Sequence, residues 1–289
     1  MKCITEKAYA KINISLDVTG KRLDGYHEMP MVMQSVTLCD ELSIRLTQGV
    51  KSRAECSLRF VPRDERNLAV RAANKFFERA GIADTGAHIV IKKNIPVGAG
   101  MAGGSTDAAA VLRALNRLTG AGLSSAELHE LAAEIGSDVA FCIAGGTQLA
   151  SGRGELLSSL PPLPDCGIVI CKPDFSISTP ELFRKLDSVK LRCHPDTVGI
   201  CAALEAGDLG GVARRMYNVF EDVPDRRHVA IAEIKSAMLD HGALGSVMTG
   251  TGSAVFGIFD NDGTAKQAFD RLRRDYSHCF LAKNMPVLD

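Results

Sequence analysis

The sequence predicts an α+β protein of two domains, a mixed sheet with helices over residues 1–160 and a split β-α-β, ferredoxin-like layer over residues 161–289. Three observations carry that reading. The chain has 289 residues, enough for two cores. Runs of strand alternation are interleaved with Ala- and Leu-rich runs of helical character. Pro161-Pro162-Leu163-Pro164-Asp165 interrupts both patterns and marks the best boundary.

Composition excludes several classes. Lys plus Arg and Asp plus Glu number 34 each, which leaves no basic field to hold nucleic acid. The nine cysteines contain no C-x-x-C pair, and Phe141-Cys142-Ile143 reads as reduced core cysteine. The first 16 residues are too polar for a signal peptide, and no window reaches 18 apolar residues. The expectation is a soluble cytoplasmic protein with neither nucleic-acid nor membrane partners. Nothing in the sequence sets an oligomeric state.

Residues 7–17 alternate as a strand with Lys7, Tyr9, Lys11 and Asn13 on one side. Lys11, between Ala10 and Ile12, is either a solvated lysine or a charge aimed at a ligand. A polar connection with an Asp24-Gly25 turn then presents Tyr26 and His27, to a ligand or to the sheet beneath. Residues 30–46 read as a long β segment broken near Asp40-Glu41, and residues 55–60 as another strand. Residues 67–80 form an amphipathic helix, with Leu68, Ala72, Phe76 and Ala80 spaced by four and Gly81 at its end.

Residues 87–93 are a β-branched strand, and residues 105–118 an Ala-rich helix. Between them run Pro96, Val97, Gly98, Ala99, Gly100, Met101, Ala102, Gly103 and Gly104, followed by Ser105, Thr106 and Asp107. Unpaired N–H groups in a first helical turn, with the helix dipole, stabilise an anion, and small residues let phosphates reach that backbone. The alternative is a flexible loop before an ordinary helix. There is no lysine for the P-loop pattern and no acid about 20 residues on for the dinucleotide pattern, so phosphate binding of a third kind is expected. Ser105 can cap the helix or offer its hydroxyl to a metal, and Asp107 could attract that metal.

Ser124 or Ser125 caps a helix over residues 126–135, which leads to Asp138 among small and apolar residues. That carboxylate is either an N-cap or is aimed at bound phosphates or an attacking hydroxyl. Beyond the boundary come a core strand (167–171), a short helix (179–186) bearing Thr179, Pro180 and Phe183, and polar helices over 196–206, 209–216 and 225–240. A second small-residue loop, Thr249, Gly250, Thr251, Gly252 and Ser253, joins two strands as a tight hairpin. A helix over 263–274 and a strand over 277–282 complete the split β-α-β order.

Three blocks resemble the small-molecule kinases of the galactokinase, homoserine kinase, mevalonate kinase and phosphomevalonate kinase superfamily. They are AKINISLDVTGKRLDGYH at 10–27, PVGAGMAGGSTDAAAVL at 96–112 with GSDVAFCIAGG at 136–146, and SVMTGTGSAVFG at 246–257. The resemblance spans essentially the whole chain and implies that family's two-domain fold. Asp-Gly-Tyr-His is peculiar to the branch that phosphorylates the 2-hydroxyl of a cytidine diphosphate derivative of methylerythritol, in the non-mevalonate route to isoprenoid precursors. The resemblance further implies ATP and Mg²⁺ as cofactors, Lys11 and Asp138 as the catalytic pair, residues 96–106 as the ATP phosphate loop with Mg²⁺ near Ser105, and residues 250–253 as a second active-site loop. Tyr26 and Phe183 would hold the cytosine ring, His27 would read its polar edge, Asn13 and Thr179 would contact substrate, and Asn67 would lie near adenine. One departure stands out: Asn218-Val219-Phe220-Glu221 replaces the family's frequent Asn-Asp-Leu-Glu. Another kinase of the superfamily, a nucleotide binder without turnover and a split β-α-β RNA binder are the alternatives; Tyr26-His27, the Lys11 and Asp138 pair and the zero net charge respectively disfavour them.

Overall fold

The computed structural model describes residues 2–191 and 193–288. In chain order the first part comprises β1 (Cys3–Leu16), the hairpin β2 (Gly20–Lys21) and β3 (His27–Glu28), β4 (Met31–Gln48), β5 (Arg53–Cys56), α1 (Leu68–Arg79), β6 (Thr85–Lys92), α2 (Gly103–Thr119), α3 (Ser125–Ile135), α4 (Ser137–Ala144), β7 (Thr147–Ser151) and β8 (Leu156–Ser159). The second comprises β9 (Gly167–Lys172), α5 (Thr179–Leu186), α6 (Thr197–Glu205), α7 (Leu209–Ala213), β10 (Tyr217–Asn218), a 3₁₀ turn at Val219–Asp222, α8 (His228–Asp240), β11 (Gly245–Met248), β12 (Val255–Phe259), α9 (Asp262–Leu272) and β13 (His278–Lys283).

The first sheet runs β10-β1-β4-β6-β5, with β7 and then β8 branching from β4, and is mixed because β10 pairs with β1, and β5 with β6, in parallel. The second runs β11-β12-β9-β13 and is antiparallel throughout. With helices between β9 and β11 and between β12 and β13, this is the split β-α-β order. The chain does not stay on its own side of residues 161–165. β10 joins the edge of the first sheet, and the segment after β13 bridges back through Val36 to Asn284 and Gly145 to Val287. Ala10, Ile12, Ile14 and Val32 of the first sheet share one core with Ile168, Ile170, Phe256 and Ile258 of the second. No described helix is long and apolar enough to cross a membrane.

Four expectations are corrected. β4 is not broken at Asp40-Glu41: Asp40 is fully buried, accepting from the N–H groups of Asn94 and Ile95 and pairing with Lys93, partners more than 50 residues away that no local pattern reveals. The irregularity lies beside it, where pairing jumps from Tyr9 and Cys39 to Lys11 and Ser35. That bulge reverses the alternation, since Ala8 packs into one core and Ala10, Ile12 and Ile14 into the other. Lys11 and Asn13 therefore do not share a face with Lys7 and Tyr9. β5 stops at Cys56, because the chain turns through residues 58–61 with Val61 donating to Leu58 O, and Phe60 stands out into solvent. α7 and α8 are shorter than expected; Asp225 is a turn residue whose carboxylate accepts from Arg227 N before α8 begins.

Because the two sheets share a core, the parts should unfold together. Phe256→Ala should cost about 3–5 kcal/mol and still give one cooperative urea transition. Two separated transitions would show that the shared core does not couple them.

Candidate active site

The glycine loop is held from below by buried charge. Lys93, just past β6, pairs with Asp40, donates to Gly103 O at 2.9 Å and reaches Asp107 Oδ2 at 2.7 Å. Burial works against the Lys93 ammonium, but Asp107 and Asp40 more than offset it and raise its pKa. Burial raises that of Asp107, with Asp40 adding to the shift and Lys93 opposing it. Asp107 therefore gives one oxygen to the anchor, while its Oδ1 is buried without a hydrogen-bond partner among the described residues and the residue lines the cavity beside the glycine loop. Ser105 does not cap α2; the N-cap is Ala102, left-handed with φ 56°, and the Ser105 hydroxyl has no hydrogen-bond partner among the described residues. Thr106 is buried and returns its hydroxyl to Gly103 O, so it faces its own helix.

Above the anchor, the loop touches the β11–β12 hairpin backbone to backbone. Ala254 N donates to Ala99 O at 3.2 Å, and a Cβ on Gly100 would lie 2.1 Å from Thr249 O. Gly100 has φ +75° and Gly250 φ +56°, conformations that favour glycine. Asn13 joins the loops. It is fully buried, and its Oδ1 accepts from Lys11 Nζ at 2.6 Å, Gly250 N at 3.0 Å and Thr249 Oγ1 at 3.3 Å. Expected as a substrate contact, it is instead spent on holding Lys11 and the second loop. On the far side Asn218 donates to Met248 O and Gly250 O at 2.8 Å each, and Glu221 accepts from Met248 N at 2.8 Å. Val219, the departure noted above, is buried in the core, so the clamp keeps both of its polar members.

Two cavities meet at this wall. One, of about 390 Å³, is lined by Phe60, Val61, Pro62, Asn67, Pro96 and Val97 with the glycine loop through Ser105. Asn67 also caps α1, accepting from Ala69 N while its amide donates to Pro62 O. The other, of about 350 Å³, is lined by Lys11, Asp138, Ser137, Arg153, Thr179, Phe183, Gly250, Thr251 and Gly252. Gly98, Gly100, Ala102 and Ser105 line both. Ser253 is buried, with its hydroxyl on Phe175 O, and does not face the cavity.

Lys11 is almost entirely buried, while the Asp138 side chain is 41% exposed, and Nζ and Oδ1 are 4.0 Å apart. Asp138 is in the first turn of α4 and is not its N-cap, which is Gly136; the helix terminus favours its negative charge. A buried ammonium beside a half-open carboxylate can position and deprotonate a hydroxyl placed between them and the glycine loop.

The aromatic arrangement differs from expectation. His27, not open space, covers part of one face of Phe183, with ring centroids 4.8 Å apart and planes at 28°. Tyr26 is exposed and lies beneath the Arg153 guanidinium, 4.9 Å from its ring centre. The structure therefore stacks His27 on Phe183, while Tyr26 pairs with Arg153, a residue that lines the acceptor cavity. Sequence reasoning missed Lys93, Asp40 and Arg153. Of these only Arg153 had a local signal, its place between Gly152 and Gly154.

Residues 67–146 match the family model for the GHMP kinases N terminal domain and residues 200–278 that for GHMP kinases C terminal. A protein from Syntrophomonas wolfei named 4-diphosphocytidyl-2-C-methyl-D-erythritol kinase is 46% identical over 95% of this chain and 96% of its own. One of the same name from Alkaliphilus metalliredigens is 43% identical over 98% and 97%. A crystal structure of 4-(cytidine 5'-diphospho)-2C-methyl-D-erythritol kinase superposes with TM-score 0.80 at 31% identity, covering 97% of this chain and 99% of that one.

The contact between the loops makes Gly100→Ala a sharp probe. The added methyl must drive the glycine loop off Thr249, and such a displacement costs about 10²-fold in kcat/KM. The measurement is steady-state phosphoryl transfer beside circular dichroism; a folded variant with parental kcat/KM would show the contact to be dispensable.

Proposed function

The chain belongs to the GHMP kinase family, within the group of 4-diphosphocytidyl-2-C-methyl-D-erythritol kinases, and we propose how its residues divide the work of that reaction. It transfers the terminal phosphoryl group of ATP to the 2-hydroxyl of 4-diphosphocytidyl-2-C-methyl-D-erythritol, a step toward isoprenoid precursors. The observation that carries our reading is the glycine wall common to both cavities: a nucleotide in one and an acceptor in the other would meet across it.

Phosphoryl transfer asks the protein mainly to align a hydroxyl with the γ-phosphate and to stabilise charge as it spreads. The first-turn N–H groups of Gly103, Gly104 and Ser105 would cradle phosphates, and the apolar rim of Phe60, Val61 and Pro62 near Asn67 suits a nucleobase. Asp138 takes the proton of the acceptor hydroxyl, and Lys11, oriented by Asn13, stabilises the developing alkoxide. The unbonded Ser105 hydroxyl fits Mg²⁺ carried in with the phosphates, since that ion needs few protein oxygens. When bound it supplies neutralisation of phosphate charge. Phe183 and His27 take the cytosine, Thr179 and residues 250–252 line the acceptor's path, and Arg153 faces the same cavity with a charge suited to a diphosphate. In this scheme residues 1–160 carry the ATP loop and catalytic pair and residues 161–289 the substrate side. The free state of all nine cysteines supports a cytoplasmic setting.

Asp138→Asn keeps the shape and removes the proton acceptor, so kcat should fall about 10²- to 10⁴-fold with ATP binding little changed. Lys11→Met should also lower kcat, and the double variant should lose much less than the sum of the two in free energy. Retention of kcat within threefold in Asp138→Asn would assign that carboxylate to orientation alone.

A further inference from the structure

Asp187 closes the C-terminal end of α5, the helix that carries Phe183, and its two oxygens are divided between partners from the first part of the chain. Oδ1 lies 2.6 Å from His27 Nε2, and Oδ2 lies 3.0 Å from Lys21 Nζ. These contacts, that of His27 first, hold the Asp187 carboxyl below its ordinary range. An ionised carboxylate only accepts, so the proton of a neutral His27 sits on Nε2 and a lone pair is left on Nδ1.

The ring carrying that lone pair is fixed in place. It stacks on Phe183, which is itself braced edge-on by the buried Phe220 at 5.0 Å and 81°. With ring centroids 4.8 Å apart the stack leaves part of Phe183 free, and Phe183 also lines the acceptor cavity, so a planar base lying on that free part would turn its edge toward the imidazole. We propose that Asp187 is a positioning residue that sets base choice: by keeping the proton on Nε2 it makes Nδ1 an acceptor for the exocyclic amine of cytosine. A uracil would set its carbonyl oxygen against that lone pair. His27 and Asp187 lie just behind the acceptor cavity, in a hollow they line with Lys21, and Phe183 joins them to it; the inference rests on the reading of the Phe183 end of that cavity as the cytidyl site and adds the group that fixes its donor and acceptor pattern.

Asp187→Asn tests it, since an amide either accepts from Nε2 or donates to it and so admits the other tautomer. Two measurements are made on the full chain. Long-range proton–nitrogen NMR should show the parent's His27 proton on Nε2 and a mixture in the variant. The ratio of kcat/KM for cytidyl over uridyl forms of the substrate should fall about 5- to 150-fold, chiefly through KM, and Asp187→Glu, an ionised acceptor again, should recover part of it. A parent proton on Nδ1, or a ratio in Asp187→Asn within twofold of the parent, overturns the proposal while leaving the cytidyl site intact. A parent that turns over no cytidyl compound overturns the reading of the site, and the proposal with it.

Discussion

The close approach of two backbones governs this molecule. Gly100 meets Thr249 and Gly250 with no room for a Cβ on Gly100, and Ala254 N bonds Ala99 O beside them. A contact of that kind has no side-chain slack, so the loops hold their relation only if both are fixed from behind. The anchor at Asp40, Lys93 and Asp107 fixes one, and Asn218 with Glu221 fixes the other. Asn13 closes the arrangement by bonding the second loop and Lys11 with one carbonyl oxygen. The wall between the cavities is thus assembled from both sheets, and the core they share keeps its halves in register.

Two groupings of charge look alike in sequence and differ in kind. At the anchor one ammonium sits between two carboxylates with all three side chains nearly sealed from water. Removing one partner there would strand a buried charge, which makes it a structural unit. Lys11 and Asp138 are 4.0 Å apart, and the carboxylate is partly open. The looser, wetter pair has capacity to spare for a ligand. Distance and exposure, more than residue type, separate the chemistry from the scaffold.

Much of the fold was legible because it rests on local pattern: continuous apolar runs for the buried strands β9 and β12, the spacing of four in α1, and a serine cap ahead of α3, which the structure assigns to Ser124. The glycine run between β6 and α2 was equally plain, since phosphate-sized access to a helix terminus demands small residues there. What the sequence hid depends on partners far along the chain. Asp40 reads as a break until Lys93 is beside it, Asn13 as a ligand contact until the hairpin at residues 249–250 arrives, and Lys11 as a neighbour of Tyr9 until a bulge turns it over. Asp187 had no signal at all, because its meaning lies wholly in His27, 160 residues away.

The central claim is that this wall brings ATP and one particular acceptor hydroxyl together. Coupled ADP release, with 4-diphosphocytidyl-2-C-methyl-D-erythritol, homoserine and mevalonate offered separately at equal concentration and the product located by phosphorus NMR, tests it most directly. The account predicts turnover of the cytidyl compound alone, with the new phosphate on its 2-hydroxyl. Comparable turnover of homoserine or mevalonate, or phosphate at another oxygen, would contradict it.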